Sequence, residues 1–458
     1  MHIGVGSFHR AHQAVYFDAL AGIGLGDGWA LTGVGLNRRA MKEALTPQDG
    51  LYTVVERSDA GDRARVVGAI TRYLYAPEEA AAVLDALVDR ATRLVTLTIT
   101  GDGYRVGADA GTSDDAPSDA DRLEPGSPAT AIGLITEALA RRRDLGRAPF
   151  TVLSCDNLPA NGRIARTAVL TVAARRDDRL ARWIDETVTF PSCMVDRITP
   201  GTTDADRRRL ERNFGVHDRW PVMTEPFSQW IVEDAFCNGR PALEEVGVRF
   251  VEDVGPYALM KTRLLNGSHC ALAYLGTLAG HKRVDEAMAD GRISGYIARL
   301  MHEEIAPLLP PVASDLDAYM TALQARFRNR AVADQLTRLC RNGSTKVPAH
   351  LLSCVQEAQV SGRPHALLTL AVSAWCRYLR DTPLEHLDDP NGARLHALAA
   401  AGGADPRPLL SDTATFGALG GCPAFIRAVQ RDLRDLDELG APTVMAARSS
   451  IWTEATSA

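Results

Sequence analysis

None of the eight cysteines, at positions 155, 193, 237, 270, 340, 354, 376 and 422, pairs with another at C-x-x-C spacing, which removes zinc ribbons and dithiol redox motifs from consideration. No basic-then-apolar leader precedes them, and the reading they favour is a reducing cytosol. No stretch reaches the roughly 18 consecutive apolar residues of a membrane helix, so a soluble protein is expected. Positive charge is not in excess either: 51 Lys and Arg face 57 Asp and Glu, a net charge of -6. That balance lacks the electrostatic footprint of a nucleic-acid or anionic-membrane binder and leaves small-molecule chemistry.

What is present suits a large two-domain protein, because 458 residues with 46% hydrophobic content can bury two or three cores. The first half alternates β-rich runs (1–5, 29–35, 51–56, 64–70, 93–100 and 150–155) with helical patterns, the rhythm of a parallel sheet wrapped by helices. Residues 107–121, acidic and rich in Ala and Ser, read as a solvated loop. After about residue 255 the β-branched runs vanish and apolar residues recur at helical spacing. The expected fold is therefore α/β: a Rossmann-like dinucleotide-binding domain over 1–254, then a mostly α-helical substrate-binding and catalytic domain over 255–458.

The N-terminal strand runs straight into Gly4-Val5-Gly6-Ser7-Phe8-His9. A dinucleotide turn needs one glycine for the tight bend and a second so that backbone can approach the pyrophosphate, and Gly4 and Gly6 suit those roles. The third glycine of G-x-G-x-x-G is replaced by His9, so the motif alone reads equally well as a plain turn. His9 and His12 lie three apart, but no nearby Cys or carboxylate completes a metal site. The second strand ends Asn37-Arg38-Arg39 instead of in the carboxylate that would take a ribose 2′-hydroxyl. Two guanidiniums suit a 2′-phosphate, or are simply exposed residues opening a helix.

The segment from Tyr257 to Leu275 is helix-periodic yet carries Asn266-Gly267, ordinarily a hairpin signal, in its middle. Its Leu, Met and Ala flanks favour helix. At about 100° per residue Asn266 and His269 lie roughly 140° and 80° round from Lys261, so all three share one side. A lysine with its pKa brought down toward about 7–8 can take the proton of an alcohol as hydride leaves carbon, and an amide can hold the oxygen. A second amide, Asn157, follows a strand-like run in Ser154-Cys155-Asp156-Asn157, where open α/β sheets present ligands or where a turn is merely capped.

Together GVGSFHRAHQAVYFDAL, LTITGDGY, SCDNLPANG, FPSCMVDRITP, EPFSQWIVEDAFCNGRP and Lys261-x-x-x-x-Asn266-x-x-His269 resemble the polyol-specific long-chain dehydrogenases and reductases over nearly the whole chain. The resemblance implies an oxidoreductase without metal that moves a hydride between NAD or NADP and a secondary alcohol of a sugar alcohol, mannitol/fructose foremost. Lys261 is then the general base, Asn157 and Asn266 the oxyanion pocket, and His269 an orienter of substrate hydroxyls. Arg338 and Lys346 reach the polyol chain, Asp196 lies near the nicotinamide within Val195-Asp196-Arg197, and Gly4, Gly6, Phe8, Asn37, Arg38 and Arg39 hold the cofactor. A cytoplasmic monomer or small homo-oligomer is expected. Three departures stand out: Arg39-Ala40 where mannitol enzymes tend to carry acids, Ala258 where relatives often place a glutamate, and a start almost at the glycine turn where relatives have an extra segment. The rival readings are arabinitol oxidation, a uronate reductase with Arg263 and Arg338 facing the carboxylate, a non-enzymatic dinucleotide sensor, and a thiol enzyme on Cys155 or Cys270.

Overall fold

The structure, a computed structural model of the chain, describes residues 1–106, 130–311 and 315–450, so the acidic segment 107–121 lies outside the described residues. It divides into two compact units, Met1–Gly255 and Pro256–Ala458.

The first unit carries β1 (His2–Ile3), β2 (Leu31–Gly35), β3 (Tyr52–Ser58), β4 (Gly61–Val67), β5 (Ile70–Tyr75), β6 (Leu94–Leu97), β7 (Thr151–Ser154), β8 (Cys193–Asp196), β9 (Val222–Thr224), β10 (Gln229–Glu233) and β11 (Arg249–Val251). Its helices are α1 (Ser7–Ala11), α2 (Gln13–Gly22), α3 (Arg39–Leu45), α4 (Ala76–Val88), α5 (Ala131–Asp144), α6 (Asn161–Arg176), α7 (Asp178–Thr187) and α8 (Asp204–Phe214). Five strands form a parallel sheet in the order β5-β2-β1-β6-β7. Counted along the chain that order is third, second, first, fourth, fifth, so the winding reverses between β1 and β6. In open α/β sheets a reversal of this kind, at the carboxyl ends of the strands, is where ligands bind.

Two runs expected in this sheet leave it. β3 and β4 pair antiparallel as a hairpin, from Tyr52 opposite Val67 to Ser58 opposite Gly61, and β9 joins as their third strand. Parallel strands are covered on both faces, as the fully buried β6 and β7 are, whereas β4 bears Asp62, Arg63 and Arg65 and is largely exposed or half-buried; polar residues of that kind suit a sheet wetted on one side. β5, not anticipated as a separate strand, takes the vacated edge. A third sheet, β11-β10-β8, sets Asp196 opposite Gln229.

Both faces of the parallel sheet are covered by apolar side chains. Leu84 and Leu87 of α4, Ile132, Ile135 and Leu139 of α5 and Val169 of α6 pack with Ile3, Val34, Val95 and Val152. Phe17 and Leu20 of α2 and Trp230 of β10 pack with Leu31, Leu94 and Leu153. Each such side chain contributes about 1.5–3 kcal/mol by leaving water.

The turn after β1 is fixed by a contact only glycine allows. Gly4 has φ +96, and a Cβ on it would stand 2.1 Å from the Thr98 carbonyl oxygen. The Thr98 hydroxyl donates to Gly4 O at 2.7 Å, and the His2 imidazole bridges the Thr96 and Thr98 hydroxyls at 2.8 and 2.9 Å. His9, standing where the third glycine is missing, lays its ring on that of His2 with centroids 3.4 Å apart and planes 10° from parallel. Ring on ring supplies the close helix–strand approach that a small residue otherwise gives. Burial pushes His2 down to about 3 and His9 well below its ordinary value, so the pair is neutral. The helix foreseen over the following residues is broken at His12 (φ -120, ψ -88), leaving α1 only five residues long.

The second unit is built of helices, among them α9 (Gly255–Lys261), α10 (Gly267–Leu278), α11 (Val284–Ala289), α12 (Gly291–Arg299), α13 (Leu316–Arg328), α14 (Leu336–Cys340), α15 (Gly343–Val347), α16 (Ser353–Val360) and α17 (Ala366–Asp381). Its described residues include no strand, only an isolated bridge between Arg283 and Gln335. The buried Trp375 and Tyr274 lie on α17 and α10, which pack together.

Gly4→Ala is expected to cost at least about 2 kcal/mol in a melting experiment, since the left-handed region alone costs an L-residue roughly 1–2 kcal/mol and the carbonyl collision adds to it. Gly6→Ala, at φ -127 with no atom nearer than 3.8 Å to the new Cβ, should change stability by less than about 0.5 kcal/mol. Equal losses in the two variants would contradict this account of the turn.

Candidate active site

At the carboxyl edge of the first unit's parallel sheet, three sequence segments meet. Gly4 and Gly6 follow β1, and Phe8 on α1 is half-buried with its ring 5.0 Å from that of His12. Gly6 leaves open space above the turn, so this strand-order switch, with its strapped first glycine and uncovered second, fits the pyrophosphate of a dinucleotide. Asn37, Arg38 and Arg39 are exposed beyond β2. Arg39 is engaged by Glu43 at 3.2 Å and Glu78 at 2.9 Å, while Arg38 has no ion-pair partner among the described residues.

Asn157, exposed just past β7, stands beside a buried anchor. Asp156 accepts from the backbone N–H groups of Ile99 and Thr100 at 3.0 and 2.8 Å and from the Tyr104 hydroxyl at 2.6 Å. Those bonds tie the segment after β6 to the end of β7. Asn161 extends the tie to β8: its amide donates to Asp156 O and Cys193 O at 3.0 and 2.9 Å and accepts from Cys193 N at 3.0 Å. Asp196 ends β8 and is buried. Arg197 next to it is saturated by Ala11 O, Glu225 O and Glu56, so its role is to join elements of the first unit.

In the second unit Lys261, Asn266 and His269 lie on one continuous helix, Gly255 to Leu278, but its middle is not α-helical. Thr262–Asn266 form a π turn between α9 and α10. π hydrogen bonds run i→i+5, so the turn brings residue i+5, here Asn266, round toward Lys261, where α geometry leaves it about 140° away. The contradiction of Asn-Gly in a helix is resolved at the same place. Gly267 closes the π turn, and a Cβ on it would lie 3.3 Å from His350 O. Lys261 is 8% exposed, and Asn266 and His269 are half-buried. The His269 ring packs 4.5 Å from Phe327 of α13.

Two further π turns, Leu300–Ile305 and Pro348–Leu352, pack against the first. Single π turns inside helices occur frequently at functional sites. Lys346, on α15 just before the last of these turns, donates to Leu339 O at 3.3 Å, and burial, reinforced by Arg338 and Arg341, holds its amine below the ordinary lysine value. The sequence marks Lys346 and passes over His350, one helical turn on; the i, i+4 spacing was the available signal. Burial, then Lys346, pushes His350 down to about 4, and its buried Nδ1 has no hydrogen-bond partner among the described residues. Arg338 is placed differently, more than half exposed with Nε 2.6 Å from Asp334 Oδ1.

Other candidate chemistries find little support. Burial pushes the Cys155 thiol well above its ordinary value and Cys270 up to about 12, leaving neither a ready nucleophile. His12 Nε2 lies 2.9 Å from Gln229 O, and among the described residues no cluster of three His, Cys, Asp or Glu side chains could hold a metal. No described helix is long and apolar enough to cross a membrane.

Residues 1–245 match the family model of the mannitol dehydrogenase Rossmann domain and residues 253–437 that of the mannitol dehydrogenase C-terminal domain. Mannitol 2-dehydrogenase of Aspergillus fumigatus is 41% identical over 452 residues, covering 95% of this chain and 90% of the relative. That of Cereibacter sphaeroides is 43% identical over 428 residues, covering 92% and 89%. Among solved structures, Pseudomonas fluorescens mannitol 2-dehydrogenase in ternary complex with NAD and D-mannitol is 40% identical, with TM-score 0.80 over 98% of this chain and 93% of that one. A substrate-free D-sorbitol dehydrogenase is 35% identical, with TM-score 0.88 over 97% and 94%. The doubly wound nucleotide fold, the helical second unit and these matches along almost the full length lead to one conclusion: the chain belongs to the mannitol dehydrogenase family.

Proposed function

We propose that this chain, a polyol dehydrogenase dependent on NAD(P), interconverts mannitol and fructose with Lys261 as general base. The observation that carries the reading is the buried residue Lys261 set directly before the π turn that ends in Asn266. Lysine serves as a base only where desolvation makes its neutral form accessible near the working pH. A bound nicotinamide would supply hydride acceptance in oxidation and hydride donation in reduction. Gly4, Gly6, Phe8, Asn37, Arg38, Arg39 and Asp196 are the residues proposed to hold and orient that cofactor.

Lys261 Nζ takes the hydroxyl proton of the alcohol being oxidised. Asn266 and Asn157 donate to its oxygen as negative charge builds, each such donor being worth roughly 10²–10³-fold in rate. His269 orients the neighbouring hydroxyl, and Lys346 and Arg338 hold the rest of the chain. A uronate needs a cation free to face its carboxylate. Arg263 is bound to Glu357 and Leu308 O, and Arg338 is paired with Asp334, so neither of these two guanidiniums is free to face one. The D-mannitol held by the Pseudomonas fluorescens relative supports a neutral polyol.

Lys261→Ala is expected to lose at least about 10²–10⁴-fold in mannitol oxidation while retaining dinucleotide affinity by fluorescence titration, with the parent activity surviving a metal chelator. Full turnover in Lys261→Ala would end the base assignment. With Arg38 exposed and without an ion-pair partner among the described residues, NADP is proposed to be accepted beside NAD. Exchanging Arg38 and Arg39 for alanine should raise KM for NADP by about tenfold or more and that for NAD much less, because the 2′-phosphate loses charge-assisted bonds. Matching losses for both cofactors would remove the phosphate role.

A further inference from the structure

The first π turn of the second unit carries, between Lys261 and Asn266, an arginine whose side chain is only 9% exposed. Arg263 Nη1 donates to Leu308 O at 2.7 Å, and its Nη2 pairs with the Glu357 carboxylate. Neither partner is placed at random. Leu308 closes the short 3₁₀ segment Ala306–Leu308 that runs directly out of the second π turn. Glu357 lies on α16, which runs directly out of the third. One two-armed guanidinium therefore ties the turn bearing the site lysine to the segments leaving both of its π-helical neighbours.

We propose that Arg263 is the positioning residue of the catalytic helix, fixing the wide turn so that Lys261 and Asn266 keep the separation the reaction needs. The proposal rests on Lys261 being the base. A π turn widens the helix and gives up its i→i+4 bonding locally, and an inserted turn of that kind persists where neighbours over-determine it. Arg263 supplies that restraint through two hydrogen-bonding arms set at a fixed angle. Lysine, a compact ammonium on a flexible stem, lacks the planar fork that reaches both partners at once. The carboxylate arm reaches the surface, since Glu357 is 44% exposed, whereas the bond from Arg263 Nη1 to Leu308 O is buried. The backbone arm is accordingly the stronger restraint.

The test compares Arg263→Lys, Arg263→Met and Glu357→Gln with the parent in steady-state kinetics and pH profiles. A misplacement of about 1 Å can cost on the order of 10²-fold in rate, so kcat should fall about 100-fold in Arg263→Met, about tenfold in Arg263→Lys and a few-fold in Glu357→Gln. KM for the dinucleotide should stay at the parent value. The pH at half-maximal kcat should move in the same order, a readout that a purely structural arginine would leave in place. Should Arg263→Met fail to fold, Arg263→Lys and Glu357→Gln together still decide. Parent-like kcat and pH profile in both Arg263→Lys and Glu357→Gln would overturn the proposal. If Lys261→Ala is inactive in the same assay, that result sinks the positioning role alone; a fully active Lys261→Ala sinks the base assignment and the positioning role with it.

Discussion

A helix that widens for one turn and then resumes its α course must be held at the wide point, and in the second unit a buried guanidinium holds it. Arg263 reaches out of the turn Thr262–Asn266 to Leu308 O and Glu357, and Gly267 lets the neighbouring backbone at His350 come close. The consequence is chemical. Residues five apart, about 140° round from each other in an α-helix, are brought nearer one another by the π turn, as the proposed pairing of the Lys261 amine with the Asn266 amide on one oxygen requires. The surrounding packing pays for the lost α-helical bonding.

The first unit meets a parallel requirement by different means. Its dinucleotide turn is braced by a glycine in the left-handed region, by the Thr98 hydroxyl and by the stacked imidazoles of His2 and His9. The ends of β6, β7 and β8 are tied by Asp156 and Asn161. Both units thus keep the residues proposed for function at points where buried polar groups are bonded to backbone, which fixes position more tightly than apolar contact does.

Much of this was legible in residues of strong local meaning. The glycine turn after an apolar strand, the change from β-branched runs to helical periodicity near residue 255 and the Lys261, Asn266 and His269 spacing all lead to the family that the comparisons establish. The Asn266-Gly267 conflict pointed at the right place without disclosing the π turn, because no period in the sequence distinguishes a five-residue widening from an ordinary helix. The β3–β4 hairpin was missed for a different reason. Apolar runs at 51–56 and 64–70 look like buried strands until the polar alternation through Asp62, Arg63 and Arg65 is given its weight. Contacts distant in sequence, such as His2 with Thr98 or Arg263 with Glu357, leave no local trace at all.

Chemical rescue addresses the proposed proton abstraction by Lys261 most directly. Lys261→Ala, folded and charged with dinucleotide, is assayed for mannitol oxidation in a series of small primary amines. Restoration of rate that rises with amine concentration and basicity is the result the account predicts. An inactive variant indifferent to every amine, or one that turns over at the parent rate without any, would contradict it.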